Sequence, residues 1–199
     1  MKILVHNGTD RMHSLIEICK SDSGIMGVKL RNAHRELGKM MGDRILRDSE
    51  ASQNNNLSVI CLMRSGLCFG EGIADFIDCP TLFLDENNDK KWNTPDEKYG
   101  NKYIKEYFEH IENRTVIVSD AVLNTGKTIR SICKLLIRFA TKVIIAANVI
   151  QSSAANTFDD WDTYTIRLSE NRFVGTKTST QSGGVGPDTG DRLFKLITK

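Results

Sequence analysis

Thr115-Val-Ile-Val-Ser-Asp120-Ala-Val-Leu-Asn-Thr125-Gly126-Lys127-Thr128 is the stretch on which the reading of this chain turns. Thr115–Ser119 has the composition of a buried strand. After it, Ile129, Ile132, Cys133, Leu136 and Phe139 recur at helical spacing. Between the two lie an acid, Asp120, and a short turn, with the helix expected to open at Thr125-Gly126. Amides in the first turn of a helix lack intrahelical acceptors, and the helix dipole adds positive potential there, so this geometry suits a phosphate. Gly126 admits a close backbone approach, and the hydroxyls of Thr125 and Thr128 are donors. An acid at the strand end would repel a phosphate placed on it but suits neighbouring hydroxyls, such as those of a ribose.

Two other readings fit the same residues. Ala121-Val-Leu-Asn-Thr-Gly126-Lys127-Thr128 matches a loosened nucleotide P-loop whose first glycine is replaced by alanine. Against this, the next strand ends Asn148-Val-Ile-Gln151 and offers no aspartate for magnesium. The plainest reading is a strand, a turn and a helix capped by a threonine.

Outward from this stretch, short apolar runs alternate with helical patterns. Residues 29–47 place Ala33, Leu37, Met40, Met41 and Ile45 on one helical face. Strands are expected at Leu57–Met63, Thr81–Leu84, Lys142–Ile150 and Thr163–Leu168, and helices at Leu67–Ile77 and Lys102–Ile111. The alternation predicts an α/β fold, a mainly parallel sheet flanked by helices, formed by one domain over residues 1–199. In such sheets ligands bind beyond the carboxyl ends of the strands.

Two further segments carry chemistry. Ser58-Val-Ile-Cys-Leu-Met-Arg64-Ser65-Gly66-Leu67 ends a strand in an arginine, whose forked donors suit pyrophosphate, and Gly66 suggests an unusual backbone turn. Gly183-Gly-Val-Gly186-Pro-Asp188-Thr-Gly190-Asp191-Arg192-Leu-Phe194 is glycine-rich near the C-terminus, with backbone groups able to read the flat edge of a base. Each also has a bland reading, a surface arginine and a flexible tail.

The three segments together resemble the type I phosphoribosyltransferases, most closely the uracil phosphoribosyltransferases. Asp120–Thr128 is similar to that family's loop for phosphoribosyl pyrophosphate (PRPP). Arg64-Ser-Gly66-Leu67 resembles its Leu-Arg-Ala-Gly-Leu-Gly turn, and the C-terminal segment its Gly-Leu-Gly-Asp-Ala-Gly-Asp-Arg element. Lys29–Leu37 is a weaker likeness to a helix start of the family. The resemblance implies transfer of phosphoribosyl from PRPP to uracil, giving UMP and pyrophosphate in pyrimidine salvage. It also implies a small hood and arm beside the sheet. Arg64, Asp120 and Asp188 would be catalytic. Arg64, Asp120, Ala121, Val122, Leu123, Asn124, Thr125, Gly126, Lys127, Thr128 and Asp188 would bind PRPP, and Gly186, Asp188 and Thr189 the base. Mg²⁺ would enter mainly through PRPP oxygens, with no protein side chain assigned to it. A homo-oligomer, commonly a dimer, is implied too. A non-catalytic PRPP- or nucleotide-binding relative and a P-loop NTPase stand as alternatives.

The chain departs from the family at three places. Pro187 is inserted before Asp188, and Thr180-Gln181-Ser182-Gly183 stands where the family has Tyr-Ile-x-Pro. No arginine occurs in the polar arm Asp85–Trp92, where Lys90 and Lys91 are the cations. Lys127 replaces a small residue of the PRPP loop.

The rest of the composition is restrictive in other ways. The formal net charge of +2 and dispersed basic residues give no footprint for nucleic acid. No apolar run is long enough for a membrane span, and Met1–Asn7 lacks a signal-peptide core, so a cytoplasmic protein is expected. The 5 cysteines include no CxxC pair, and Cys61 and Cys133 read as reduced core residues. The 4 histidines show no metal-ligand spacing.

Overall fold

The computed structural model describes residues 1–48, 56–85, 102–170 and 188–196. Six strands form one sheet: β1 (Lys2–Ile3), β2 (Leu57–Met63), β3 (Thr81–Asp85), β4 (Thr115–Leu123), β5 (Lys142–Gln151) and β6 (Asp162–Ser169). Their order is β1-β6-β5-β4-β2-β3, and every pairing is parallel. The central strands are buried on both faces, which explains their largely apolar runs, interrupted by the buried Ser58 and Asn148.

Among the described residues six α-helices accompany the sheet: α1 (Asp10–Cys19), α2 (Val28–Asp48), α3 (Leu67–Ile77), α4 (Lys102–Glu106), α5 (Lys127–Leu136) and α6 (Thr189–Phe194). Alternation along the strands sorts the core into two halves. Val59, Cys61 and Ile117 face α1, α2 and α3, packing with Ile16, Leu37, Met41 and Phe69. Ile60, Leu62, Val116 and Val118 face the other way, against Ile104 of α4 and Ile129, Ile132 and Leu136 of α5. Each such side chain, fully buried, contributes roughly 1.5–3 kcal/mol of transfer free energy. Glycines let α2 and α3 approach closely: a side chain on Gly38 or Gly72 would strike the backbone of Phe69 or Arg35.

The observed elements follow the sequence reading residue for residue at β2 and α3 and within a residue at each end for α2, β3, β5 and β6, and depart from it at three places. The helix expected over Lys102–Ile111 breaks after Glu106 and resumes as a 3-10 turn at Phe108–His110. Neither β1 nor α1 was read from the sequence. β1 is two residues long, and its pairing with Tyr164 and Thr165 gives no local pattern. The most consequential difference lies at β4. The strand continues past Ser119, with Asp120 opposite Ala147 and Leu123 opposite Ile150. Asp120 is therefore inside the ladder, and the turn is reduced to Asn124, Thr125 and Gly126. The polar pair Ser119-Asp120 looks like a strand end, but the apolar β5 alongside extends the pairing.

The chain leaves β2 toward β3 on one side and returns to β4 on the other. The sheet order thus reverses between β2 and β4, which opens a crevice at their carboxyl ends.

Candidate phosphoribosyl site

The loop after β4 forms one wall of that crevice. Residues 120 and 122–129 line a cavity of about 240 Å³ at the start of α5. The helix opens at Lys127, two residues later than expected. Its cap position is Gly126, at φ 65° and ψ 12°, and no side chain caps it. Left-handed backbone at this position favours glycine, and a side chain there would also run into the ring of Phe158. The Thr125 hydroxyl, one residue before the cap, accepts from the Lys127 amide at 3.4 Å, so a threonine does reach the helix start, while the other first-turn amides lack intrahelical acceptors and suit an anion. Lys127 and Thr128 are exposed beside them.

Arg130, one turn into α5, ties the loop together. Its Nε donates to Gly126 O at 3.1 Å, and its two terminal nitrogens donate to Thr125 O and Thr157 O. Its guanidinium also stacks 5.9 Å from the centre of the Phe158 ring. Sequence reasoning missed this brace, because the Phe158 partner comes from a distant 3-10 segment, Ser152–Phe158.

Asp120 accepts a 2.5 Å hydrogen bond from the Ser65 hydroxyl and a 2.6 Å bond from the Ala121 amide, both on Oδ1. Burial pushes its carboxyl up to about 6. The bonds from Ser65, Ala121 and Val122 oppose that rise, and the nearby Asp188 charge adds to it.

Ser65 belongs to the turn between β2 and α3. The Met63–Arg64 peptide in this turn is cis. Gly66 itself has ordinary backbone angles, φ −73° and ψ −13°. Its glycine is required by space: a Cβ would lie 2.6 Å from both Leu62 O and Ser119 O. The Arg64 turn is thereby pressed against the Asp120 region of β4. Arg64 itself pairs with Asp191 of α6 at 2.9 Å.

α6 completes the crevice. Asp188 caps it, accepting from the Asp191 amide at 3.1 Å, and Thr189 is its first residue. Gly190 lies against the Arg64 side chain. Asp188 and Thr189 share a cavity of about 120 Å³ with Ser65, Val122, Asn124 and Arg167. Gly186 and Pro187, with Lys90 and Lys91 of the expected arm, lie outside the described residues.

Arg192 anchors this helix. It is 2% exposed and donates to Cys19 O, Lys20 O, Ser23 Oγ and Ile25 O at 2.9–3.3 Å. Two of those carbonyls sit at the end of α1, where the helix dipole favours a cation. Arg31 adds a 2.8 Å bond to Leu193 O. A second interior polar pair joins Asn148 to His34 at 3.2 Å, and burial depresses the His34 imidazole to about 3, so it is neutral. The thiols of Cys61 and Cys133 are buried and raised to about 12, which leaves them inert as nucleophiles.

Among the described residues no group of three or more His, Cys, Asp or Glu converges as a metal cage. The acids near the crevice are Asp120, Asp188 and Asp191, the last paired with Arg64. Their oxygen chemistry suits a Mg²⁺ ion held chiefly by phosphate oxygens and water.

Residues 32–181 match the model of the phosphoribosyl transferase domain. The chain belongs to this family of pentosyltransferases, whose members bind PRPP and a nucleobase. Its fold is shared by the AQ2163 protein from Aquifex aeolicus, at TM-score 0.69 and 17% identity over 100% of both chains. It is also similar to hypoxanthine-guanine phosphoribosyltransferase from Schistosoma mansoni in complex with IMP, at TM-score 0.52 and 14% identity over 87% of this chain and 81% of that one. A Neisseria gonorrhoeae protein with bound ppGpp has TM-score 0.50 and 13% identity, over 73% of this chain and 82% of that one. No curated protein sequence matches. Among the described residues no helix is long and apolar enough to cross a membrane.

Proposed function

We propose that this chain transfers the phosphoribosyl group of PRPP to a nucleobase, with uracil the acceptor that its sequence favours. The observation that carries this reading is the convergence of three remote segments on one crevice: the Arg64 turn, the Asp120–Thr128 strand and loop, and the Asp188 helix start. The uracil assignment rests on the likeness of those segments to the uracil enzymes.

In this reading the 5′-phosphate sits on the amides of the Asn124–Thr128 turn. Asp120 holds ribose hydroxyls. Its bonds from Ser65 and Ala121 both fall on Oδ1. A base nitrogen bonds to ribose C1 as the C1–oxygen bond to pyrophosphate breaks, and the nitrogen's proton passes to solvent or pyrophosphate. Positive charge develops on the ribose ring, and positioning does most of the work. Mg²⁺, when bound, neutralises charge on the departing pyrophosphate. Arg64 is placed to help, once it exchanges Asp191 for a phosphate oxygen; its side chain is exposed enough to do so. Asp188, close enough to influence Asp120, is reserved for the ribose and base side together with Thr189. A cytoplasmic homo-oligomer is part of the same reading.

The Arg64–Asp191 pair also favours a second reading, a PRPP- or nucleotide-binding relative without turnover, since it occupies the arginine that would receive pyrophosphate. The P-loop reading gains no support: β5 and β2, the neighbours of β4, end in Gln151 and Met63 rather than an acid.

Pyrophosphate release from Mg-PRPP, assayed with uracil beside other pyrimidines and purines, tests the reading. Release with uracil supports it as stated. Release with another base keeps the reaction and moves the specificity; purines belong in the series because the Schistosoma relative carries IMP. PRPP binding without release from any base supports the regulatory reading.

A further inference from the structure

The 120 Å³ cavity beside the PRPP loop has an unbalanced lining. Three cationic side chains, Lys20, Arg167 and Arg192, border it, against one acid, Asp188. Two of these cations are accounted for. Lys20 pairs with Glu17 at 2.6 Å, and Arg192 is saturated by the carbonyls and hydroxyl around Ser23. Arg167 is different. It stands near the carboxyl end of β6, opposite Val149 of β5, and shares a strand face with Ser169, which also lines the cavity. Among the described residues its guanidinium makes no hydrogen bond or ion pair, although it is half-buried. The groups whose electrostatics reach it are Cys19, whose thiol burial keeps protonated, and the carboxylates Glu17 and Asp22. A partly desolvated guanidinium with five donors and no acceptor is costly unless a ligand supplies the acceptor.

We infer that Arg167 is a specificity-determining residue of the base site, which selects nucleobases presenting exocyclic oxo groups over those presenting amino groups. This inference rests on the phosphoribosyl-transfer reading of the crevice. The chemistry is one-sided: arginine donates only, so it matches a carbonyl oxygen and is repelled by an amino group, itself a donor. A site built to satisfy such a group discriminates strongly, because the wrong ligand leaves a buried donor unpaired. The discriminating position is O4 of uracil or O6 of hypoxanthine, which are accepted, against the amino groups N4 of cytosine and N6 of adenine, which are rejected. Arg167 would also draw electron density toward the oxo group and ease loss of the ring proton, a role for which the described histidines are not placed.

The test pairs Arg167→Met, which removes the charge and keeps the stem, with Arg167→Lys, which keeps a charge and loses the fork. Pyrophosphate release is followed with uracil, cytosine, hypoxanthine and adenine. The inference expects wild-type protein to prefer the oxo bases. It expects Arg167→Met to raise KM for the preferred base by about 10- to 100-fold, with KM for PRPP changed by less than about threefold. Arg167→Lys falls between the two. An unchanged base KM in Arg167→Met, a matching rise in both KM values, or a wild-type preference for amino bases overturns it. If wild-type protein turns over no base, the transfer reading fails, and calorimetric binding of UMP and CMP still decides on Arg167. Tighter UMP binding that is lost in Arg167→Met supports its role. Equal binding of the two nucleotides overturns it.

Discussion

The PRPP loop and the C-terminal helix face the same crevice but are held in place by different means. The loop is built almost entirely from one contiguous stretch. A strand delivers Asp120, a single glycine turns the chain, and Arg130 reaches back one helical turn to bind the carbonyls of Thr125 and Gly126. Phe158 and Thr157 brace it from one side, and Ser65 holds Asp120 from the other. α6 is six residues long and too short to be stable alone. It is held by Arg192 and Arg31, through bonds spanning more than 160 residues of sequence. In the proposed reading, local chemistry sets the phosphate end of the site, and long-range arginines set the base end.

The contrast can be broken most severely at Arg192. Arg192→Met leaves the carbonyls at the end of α1 and at Ile25 without their donor. It is expected to lower stability by about 3 kcal/mol, read as a shift in the urea midpoint, and to weaken base binding more than PRPP binding. An equal loss of both would show that the two ends of the site are not independently held.

Gly126→Ala probes the local end. The left-handed backbone and the clash with Phe158 together are expected to cost about 2 kcal/mol. PRPP affinity should fall while α6 stays docked, which hydrogen exchange at Arg192 and Leu193 would report.

Asp120 gives a pH signature. Its carboxyl is raised from the ordinary 3.8 to about 6 in the folded protein. The folded state therefore binds the proton more tightly than the unfolded chain does. The associated stability is fully present below about pH 4 and is lost as pH rises through about 6. Relative to Asp120→Asn, the ligand-free wild type should lose on the order of 2 kcal/mol across that window, measured by urea unfolding at each pH. PRPP binding should run the opposite way and strengthen as the carboxylate forms. A flat difference between the two proteins would remove the burial argument.

The smallest effect is expected at Lys127. It is exposed at the helix start, so Lys127→Ala should change KM for PRPP by about threefold or less. A loss of activity of several hundredfold would revive a P-loop role for this lysine.

This division also explains what the sequence made legible. The loop, the Arg64 turn and the C-terminal element each carry a local pattern of strand, glycine and charged residue, and the structure brings all three to one crevice. β2 and α3 were readable because apolar runs and helical spacing end at clear boundaries. Arg130 and Arg192 were not readable, since an arginine's partners are carbonyls that have no sequence signature. The role of Gly66 was only half legible, because a glycine kept for space looks the same as one kept for its backbone angles. The extension of β4 through Asp120 was hidden for a related reason, as it depends on the length of the neighbouring β5.

The measurement that bears most directly on the account is calorimetric titration of Mg-PRPP into wild-type protein and Asp120→Ala, with unfolding curves confirming that both are folded. The account predicts saturable binding to wild type, weakened at least about 100-fold in the variant as the charge-assisted bonds to the ribose are lost. Equal affinity in the two proteins would contradict it, because the acid at the centre of the crevice would then have no part in holding the ligand.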